Sequence, residues 1–149
     1  MMERLDMQTQ KENLLADKLE IDRVIGQFFE IFNNKNGKKT DWGLINSLCI
    51  PETIIIKKEN LHQTVYHLAS FIEPRKKILT DGTLVEFEEF ETGEKTQIAA
   101  FIAQRYSKYQ KSGIFNGEAY TGQGTKFFQL IKTESSWKIC SVAWEDDAF

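Results

Sequence analysis

The chain has 149 residues, the usual size of one domain and enough to bury a core without disulfides or metals. Hydrophobic residues make up 41% and charged residues 28%, with nineteen basic against twenty-two acidic side chains and a net charge of -3. That balance argues against a nucleic-acid partner, whose recognition needs a basic surface. Two distant cysteines, Cys49 and Cys140, exclude a disulfide framework; no apolar leader and no bilayer-length apolar stretch is visible, so no membrane is expected and a cytoplasmic protein is.

Residues 1–18 are polar and read as a flexible extension or the start of the first helix. Ile21, Val24, Ile25, Phe28 and Phe32 recur at steps of three and four, which places them on one helix face. Asn33 to Gly37 is a stop signal. Thr40 or Asp41 can cap a short second helix through Ser47, with Trp42, Ile45 and Leu48 inward. Pro51 interrupts the chain, and Thr53 to Lys57 is β-branched and strand-like. Leu61 to Tyr66 reads equally as strand or loop. Leu68 to Leu79 reads as a third helix, with Ser70 as N-cap, Glu73 at the capping-box position and Pro74 near enough to the start to be tolerated.

From Thr83 onward the period changes to that of strands. Thr83 to Glu91 is the first, with Phe87 and Phe90 on opposite faces unless a bulge intervenes. Thr92-Gly93-Glu94 reads as a turn. Gln97 to Tyr109 reads as one long strand, Gly113 to Gly122 as a connection, Gly124 to Thr133 as a strand and Trp137 to Glu145 as the closing strand, with Trp137 and Ile139 opposite Cys140, Val142 and Trp144. Residues 19–146 thus form one α+β domain with a meandering antiparallel sheet, and residues 147–149 a loose tail. Apolar residues on both faces of the last strands, as in the neighbours Phe127 and Phe128, call for cover on the outer face; a homodimer through that face is expected.

Particular residues then carry a resemblance. The run Ala103-Gln104-Arg105-Tyr106, the later Gly117, the segment Gly124-Thr125-Lys126-Phe127-Phe128-Gln129-Leu130 and the closing Trp137-Lys138-Ile139 resemble the C-terminal half of the SnoaL-like branch of the nuclear transport factor 2-like superfamily. Ile21 to Phe32 and Phe71-Ile72-Glu73-Pro74-Arg75 fit as well, so the likeness covers about Glu20 to Asp146. It implies a cone-shaped, strongly curved sheet packed against N-terminal helices, the cystatin-like roll, around one cavity, and it implies that dimers are common. It implies no single activity, because this superfamily hosts isomerases, dehydratases, polyketide cyclases, binding domains and association modules.

Candidate pocket residues are Phe28, Phe32, Trp42, His62, Phe71, Gln104, Tyr106, Phe128 and Trp144. His62 and His67 are five apart, on different faces of either a helix or a strand, so no shared metal site is expected and no cofactor is implied. Gln104 and Tyr106 share one face of their strand and Arg105 the other; which face lines the pocket depends on register, and a bulge would flip it. Asp81 reads first as part of an Asp-Gly turn. Glu118 and Tyr120 are candidates for a pocket entrance. The acidic run Glu86, Glu88, Glu89 and Glu91 reads as a solvated strand edge. No phosphate loop and no Ser-His-Asp arrangement is present. The function expected first is a small-molecule-binding domain for an apolar or aromatic ligand; the alternatives are a cofactor-independent isomerase, dehydratase or cyclase with a pocket acid or base, and a dimeric association module without a ligand.

Overall fold

The stripe Ile21, Val24, Ile25 and Phe28 is at most 2% exposed, and it is the buried face of α1 (Met2–Glu30). The computed structural model describes residues 2–148. Helix geometry therefore takes in nearly all of the stretch 1–18, though the side chains from Asp6 to Ala16 are exposed. Asp41 caps a 3-10 turn by accepting from the Gly43 amide at 3.1 Å, and α2 (Ile45–Leu48) follows at once.

The remaining elements are β1 (Cys49–Glu59), β2 (His62–Tyr66), α3 (Leu68–Thr80), β3 (Leu84–Ile98), β4 (Ile102–Phe115), β5 (Glu118–Lys132) and β6 (Trp137–Asp146). They form one six-stranded sheet in the order β2-β1-β6-β5-β4-β3. Every pairing is antiparallel except β1 with β6, so the sheet is mixed. Pro51 lies inside β1, where the ladder to β6 skips from Cys49 to Ile54; a residue without an N–H is tolerated at such a break. α1 and α3 cover the concave face, and the core between them holds Phe28 edge-on to Phe128 with centroids 5.5 Å apart.

Several segments differ from the sequence expectation. Thr92-Gly93-Glu94 is not a turn: β3 runs through it, and the ladder to β4 absorbs one residue as a bulge between Glu91 and Gly93. The chain reverses instead at residues 99–101, where the Ala99 amide bonds the Ile102 carbonyl oxygen at 2.9 Å, so the expected strand 97–109 is split between β3 and β4. The connection 113–122 shrinks to Asn116-Gly117, whose φ values of 50° and 82° are those of a two-residue hairpin turn, with Phe115 opposite Glu118. In α3 the N-cap is His67, whose amide bonds Ser70 Oγ at 2.9 Å, so Ser70 takes the place expected for Glu73. The chain after β6 is also tied down, since the Asp147 amide bonds the Gln123 carbonyl oxygen at 2.8 Å; residue 149 lies outside the described residues.

Both ends of the buried part of α1 are anchored by hydrogen bonds. Near its middle, Asp17 accepts from Trp137 Nε1 and from Lys132 Nζ, each at 2.9 Å. Past its C-terminus, the Asn33 side chain accepts from the Glu89 amide at 2.9 Å, and Asn34 Oδ1 accepts from the Phe87 amide at 2.8 Å. Asn34 Nδ2 also donates to the Leu79 and Leu84 carbonyl oxygens at 3.1 and 2.8 Å, which joins α1, α3 and β3 at one corner. That corner holds the β3 bulge between Val85 and Glu88, after which Phe87, Glu89 and Glu91 face the concave side.

Candidate functional site

Between the C-terminal half of α1, α3 and the concave sheet face lies a cavity of about 360 Å³. Its walls are aromatic and aliphatic: Phe28, Phe29 and Phe32 from α1, Phe71 and Ile78 from α3, Trp144 from β6. One end is charged, with Glu89, Lys111, Lys126 and Asp146 from the sheet and Arg75 from α3. A ligand-sized concavity with apolar walls and a few converging polar groups is the usual form of a small-molecule site.

Lys126 is the most unusual of these groups. Its side chain is 8% exposed and its ammonium sits 3.1 Å from Glu89 Oε1. The ammonium also lies 4.5 Å from the Tyr109 ring centroid and 5.0 Å from that of Trp144. Burial lowers the Lys126 pKa from its ordinary value, and the Glu89 carboxylate opposes that shift without cancelling it. Beside it, Lys111 Nζ bonds Asp146 Oδ2 at 2.9 Å and the Tyr109 hydroxyl donates to Asp146 Oδ1. Burial pulls Asp146 upward, but these two donors and the Lys111 charge outweigh it and hold the carboxyl below its usual range. Burial, with the charges of Glu89 and Asp146, pushes the Tyr120 phenol up to about 12, so Tyr120 is a neutral hydrogen-bonding group at the cavity wall.

Tyr109 reaches Asp146 because β5 carries Gly124 opposite it. A Cβ at position 124 would collide with the Tyr109 hydroxyl and the Glu145 carbonyl oxygen. The glycine at the head of the Gly-x-x-Phe segment is thus the space through which the tyrosine passes.

Arg75 differs from the other cations. Its guanidinium lies 3.9 Å from the Phe71 ring centroid, 5.2 Å from Tyr66 and 5.5 Å from Trp144, and Nη1 donates to the Phe71 carbonyl oxygen at 3.0 Å. Among the described residues no carboxylate comes within ion-pairing distance of it. Burial lowers its pKa, yet a guanidinium stays protonated throughout the range in which proteins fold.

Of the residues singled out from sequence, Phe28, Phe32, Phe71 and Trp144 line this cavity. Phe128 does not: it is fully buried beneath Phe28 and Phe29 as part of the floor's packing. Trp42 packs on Phe32 at 6.2 Å from outside and borders two other, more open clefts. His62 is exposed at the start of β2, away from the cavity, and His67 caps α3. Gln104 and Tyr106 lie on the convex face, where Gln104 bonds Gln97 and Tyr106 packs against Phe127 at 5.4 Å. Of the two entrance candidates, Tyr120 borders the cavity and Glu118 is exposed at the hairpin.

Arg105 is the inward member of its segment, but it serves α1 and not the cavity. Its guanidinium bonds Glu91 through Nε at 3.0 Å and Nη2 at 2.5 Å, and Asp22 through Nη1 at 2.5 Å. Glu89 and Glu91 therefore correct the reading of the acidic run as a solvated edge: strand alternation puts both on the Phe87 side, where each meets a buried cation. The polar groups of the cavity, Lys126, Glu89, Lys111, Asp146 and Arg75, were not among the candidates. A signal for one existed, since Lys126 shares strand parity with the buried Phe128 and Leu130.

Neither a protein-family model nor a curated protein sequence matches the chain. Solved structures do. LinA superposes with a TM-score of 0.76 at 10% identity, over 93% of this chain and 91% of its own. A nuclear transport factor 2-like superfamily protein from Salmonella enterica serovar Typhimurium gives 0.73 at 15% identity, over 91% and 94%. An NTF2-like protein with a cystatin-like fold from Novosphingobium aromaticivorans gives 0.71 at 11% identity, over 92% and 86%. The architecture defines an α+β fold with helices closing the concave side of an open mixed sheet. That fold is the nuclear transport factor 2-like, cystatin-like one, as the sequence resemblance implied, and at these identities the likeness extends to fold alone.

Proposed function

We propose that the chain is a small-molecule-binding domain, with its ligand held between α1, α3 and the concave sheet face. The observation that carries this reading is the aromatic cavity of about 360 Å³ with the buried Lys126–Glu89 pair at its end. Water-excluded charges of this kind cost stability unless a well-made network or a function holds them in place. An uncharged fluorescent probe, phenylnaphthylamine, is expected to bind with micromolar affinity. Ile78→Trp, which fills the cavity from α3, is expected to weaken that binding about tenfold or more while leaving the melting temperature unchanged or higher. Equal binding by both proteins would remove the cavity from the account.

The same pair supports a second reading, cofactor-independent acid–base chemistry of the isomerase, dehydratase or cyclase kind. Glu89 can accept a proton and Lys126 or Tyr120 can steady the resulting charge in a site screened from water. With a ligand in hand, incubation in deuterated water tests this: solvent deuterium should enter the ligand with the native chain and not with Glu89→Gln. An open cavity argues against an association module without a ligand.

We further propose that the convex face mediates a homodimer. Val65, Ile56, Ala143, Phe127 and Tyr106 stand in register across five strands, and Val65 and Phe127 are 57% and 54% exposed. Sedimentation should show a dimer for the native chain and a monomer for Phe127→Asp; a native monomer at micromolar concentration overturns this proposal.

A further inference from the structure

The charged end of the cavity has a surplus of positive charge, and one residue is its source. Lys126 is matched by Glu89 at 3.1 Å and Lys111 by Asp146 at 2.9 Å. Lys57, at the rim, is matched by Glu59 at 2.9 Å. Arg75 lines the same cavity and meets no carboxylate among the described residues. Its positive charge is instead held against the faces of Phe71, Tyr66 and Trp144. Such stacking orients a guanidinium without neutralising it. Trp144 is shared: Arg75 lies 5.5 Å and Lys126 5.0 Å from its ring centroid. Burying a guanidinium with no paired carboxylate costs desolvation, and an anion placed against Arg75 would offset that cost.

Resting on the reading that the cavity binds a small molecule, we infer that its ligand class is a flat apolar or aromatic organic anion. The body would lie against the wall made by Phe28, Phe32 and Phe71, and a carboxylate or sulfonate-like group would pair with Arg75. A guanidinium fork matches such a two-oxygen group, and a charge-assisted pair is stronger than a neutral hydrogen bond. The surplus also separates this cavity from one built for a neutral body, which would gain nothing from an unmatched cation.

Two dyes sharing one aromatic skeleton test the inference: anilinonaphthalene sulfonate and its uncharged parent, phenylnaphthylamine. The sulfonate should bind the native chain about tenfold more tightly than the parent, a preference that shrinks with added salt. Arg75→Met should erase the gap by weakening the sulfonate alone, whereas Arg75→Lys, which keeps the charge, should retain part of it. Equal affinity of the two dyes for the native chain overturns the anion inference and leaves the binding reading intact, as does a gap that survives Arg75→Met. Failure of both dyes to bind overturns the binding reading and the inference with it. The native-chain comparison decides the matter even if Arg75→Met does not fold.

Discussion

Two cations lie buried on the concave face of adjacent strands, and they are treated in opposite ways. Arg105 on β4, 3% exposed, receives Glu91 through two nitrogens and Asp22 through a third, with Glu94 at 3.8 Å. Lys126 on β5, 6% exposed, has one carboxylate and otherwise faces aromatic rings and a cavity. The first is a saturated clamp that fastens α1 to the sheet. The second is matched by Glu89 alone and borders a cavity whose other lining includes Arg75, a cation with no paired carboxylate among the described residues. Burial alone does not single out a candidate site; what separates the two cations is that one is enclosed by carboxylates and the other borders an open space.

Truncation of the clamp should have the largest effect. Arg105→Met leaves Glu91 without a cation and Asp22 and Glu94 with Lys18 alone, and a loss of roughly 3 kcal/mol is expected in urea unfolding, with phenylnaphthylamine affinity unchanged while the chain is folded. A loss below about 1 kcal/mol would erase the distinction between the two regions. The cavity pair should behave differently when both partners go. Glu89→Leu with Lys126→Met removes the two charges together, and stability is expected to stay within about 1 kcal/mol of the native value or to rise. A loss as large as that of Arg105→Met would mean that the pair is structural after all.

The smallest effect concerns acid. Burial raises the Asp22 pKa, but the hydrogen bonds from Arg105 and Lys18 and their charges outweigh it, so the folded value lies below the unfolded one. A depressed carboxylate contributes stability that is present above the unfolded pKa, near 4, and lost as pH falls through the folded value. Asp22→Asn should therefore show a shallower loss of urea resistance below about pH 4 than the native chain. Identical slopes would place the acid sensitivity in other carboxylates, such as Asp146, which is depressed by the cavity network.

Much of the fold was legible in the sequence because one physical signal dominated each element. The stripe from Ile21 to Phe32 could only be a buried helix face, and Trp137, whose indole donates to Asp17 at 2.9 Å, marks the edge of the closing strand. What misled were the bulges. Thr92-Gly93-Glu94 has turn chemistry but serves as a bulge, while the apolar Ala99-Ala100-Phe101 makes the actual reversal. Another bulge, where β6 has one extra residue at Cys140, lets Trp137 and Ile139 share the inner face with Val142 and Trp144, which simple alternation put on opposite sides. The site was less legible for a related reason. Its charges come from six elements, β1, α3, β3, β4, β5 and β6, and no local spacing announces a group that only tertiary packing assembles. Gln104 and Tyr106 drew attention as polar residues in an apolar strand, yet parity put Arg105 inside and left them outside.

The most direct measurement is a crystal structure of the chain soaked with phenylnaphthylamine. The dye has two apolar places to go, the concave cavity and the convex row around Phe127. Density lying in the cavity against the wall made by Phe28, Phe32, Phe71 and Trp144 is the result expected if the cavity is the binding site. Density confined to the convex row beside Phe127 and Tyr106, with the cavity empty, would contradict it.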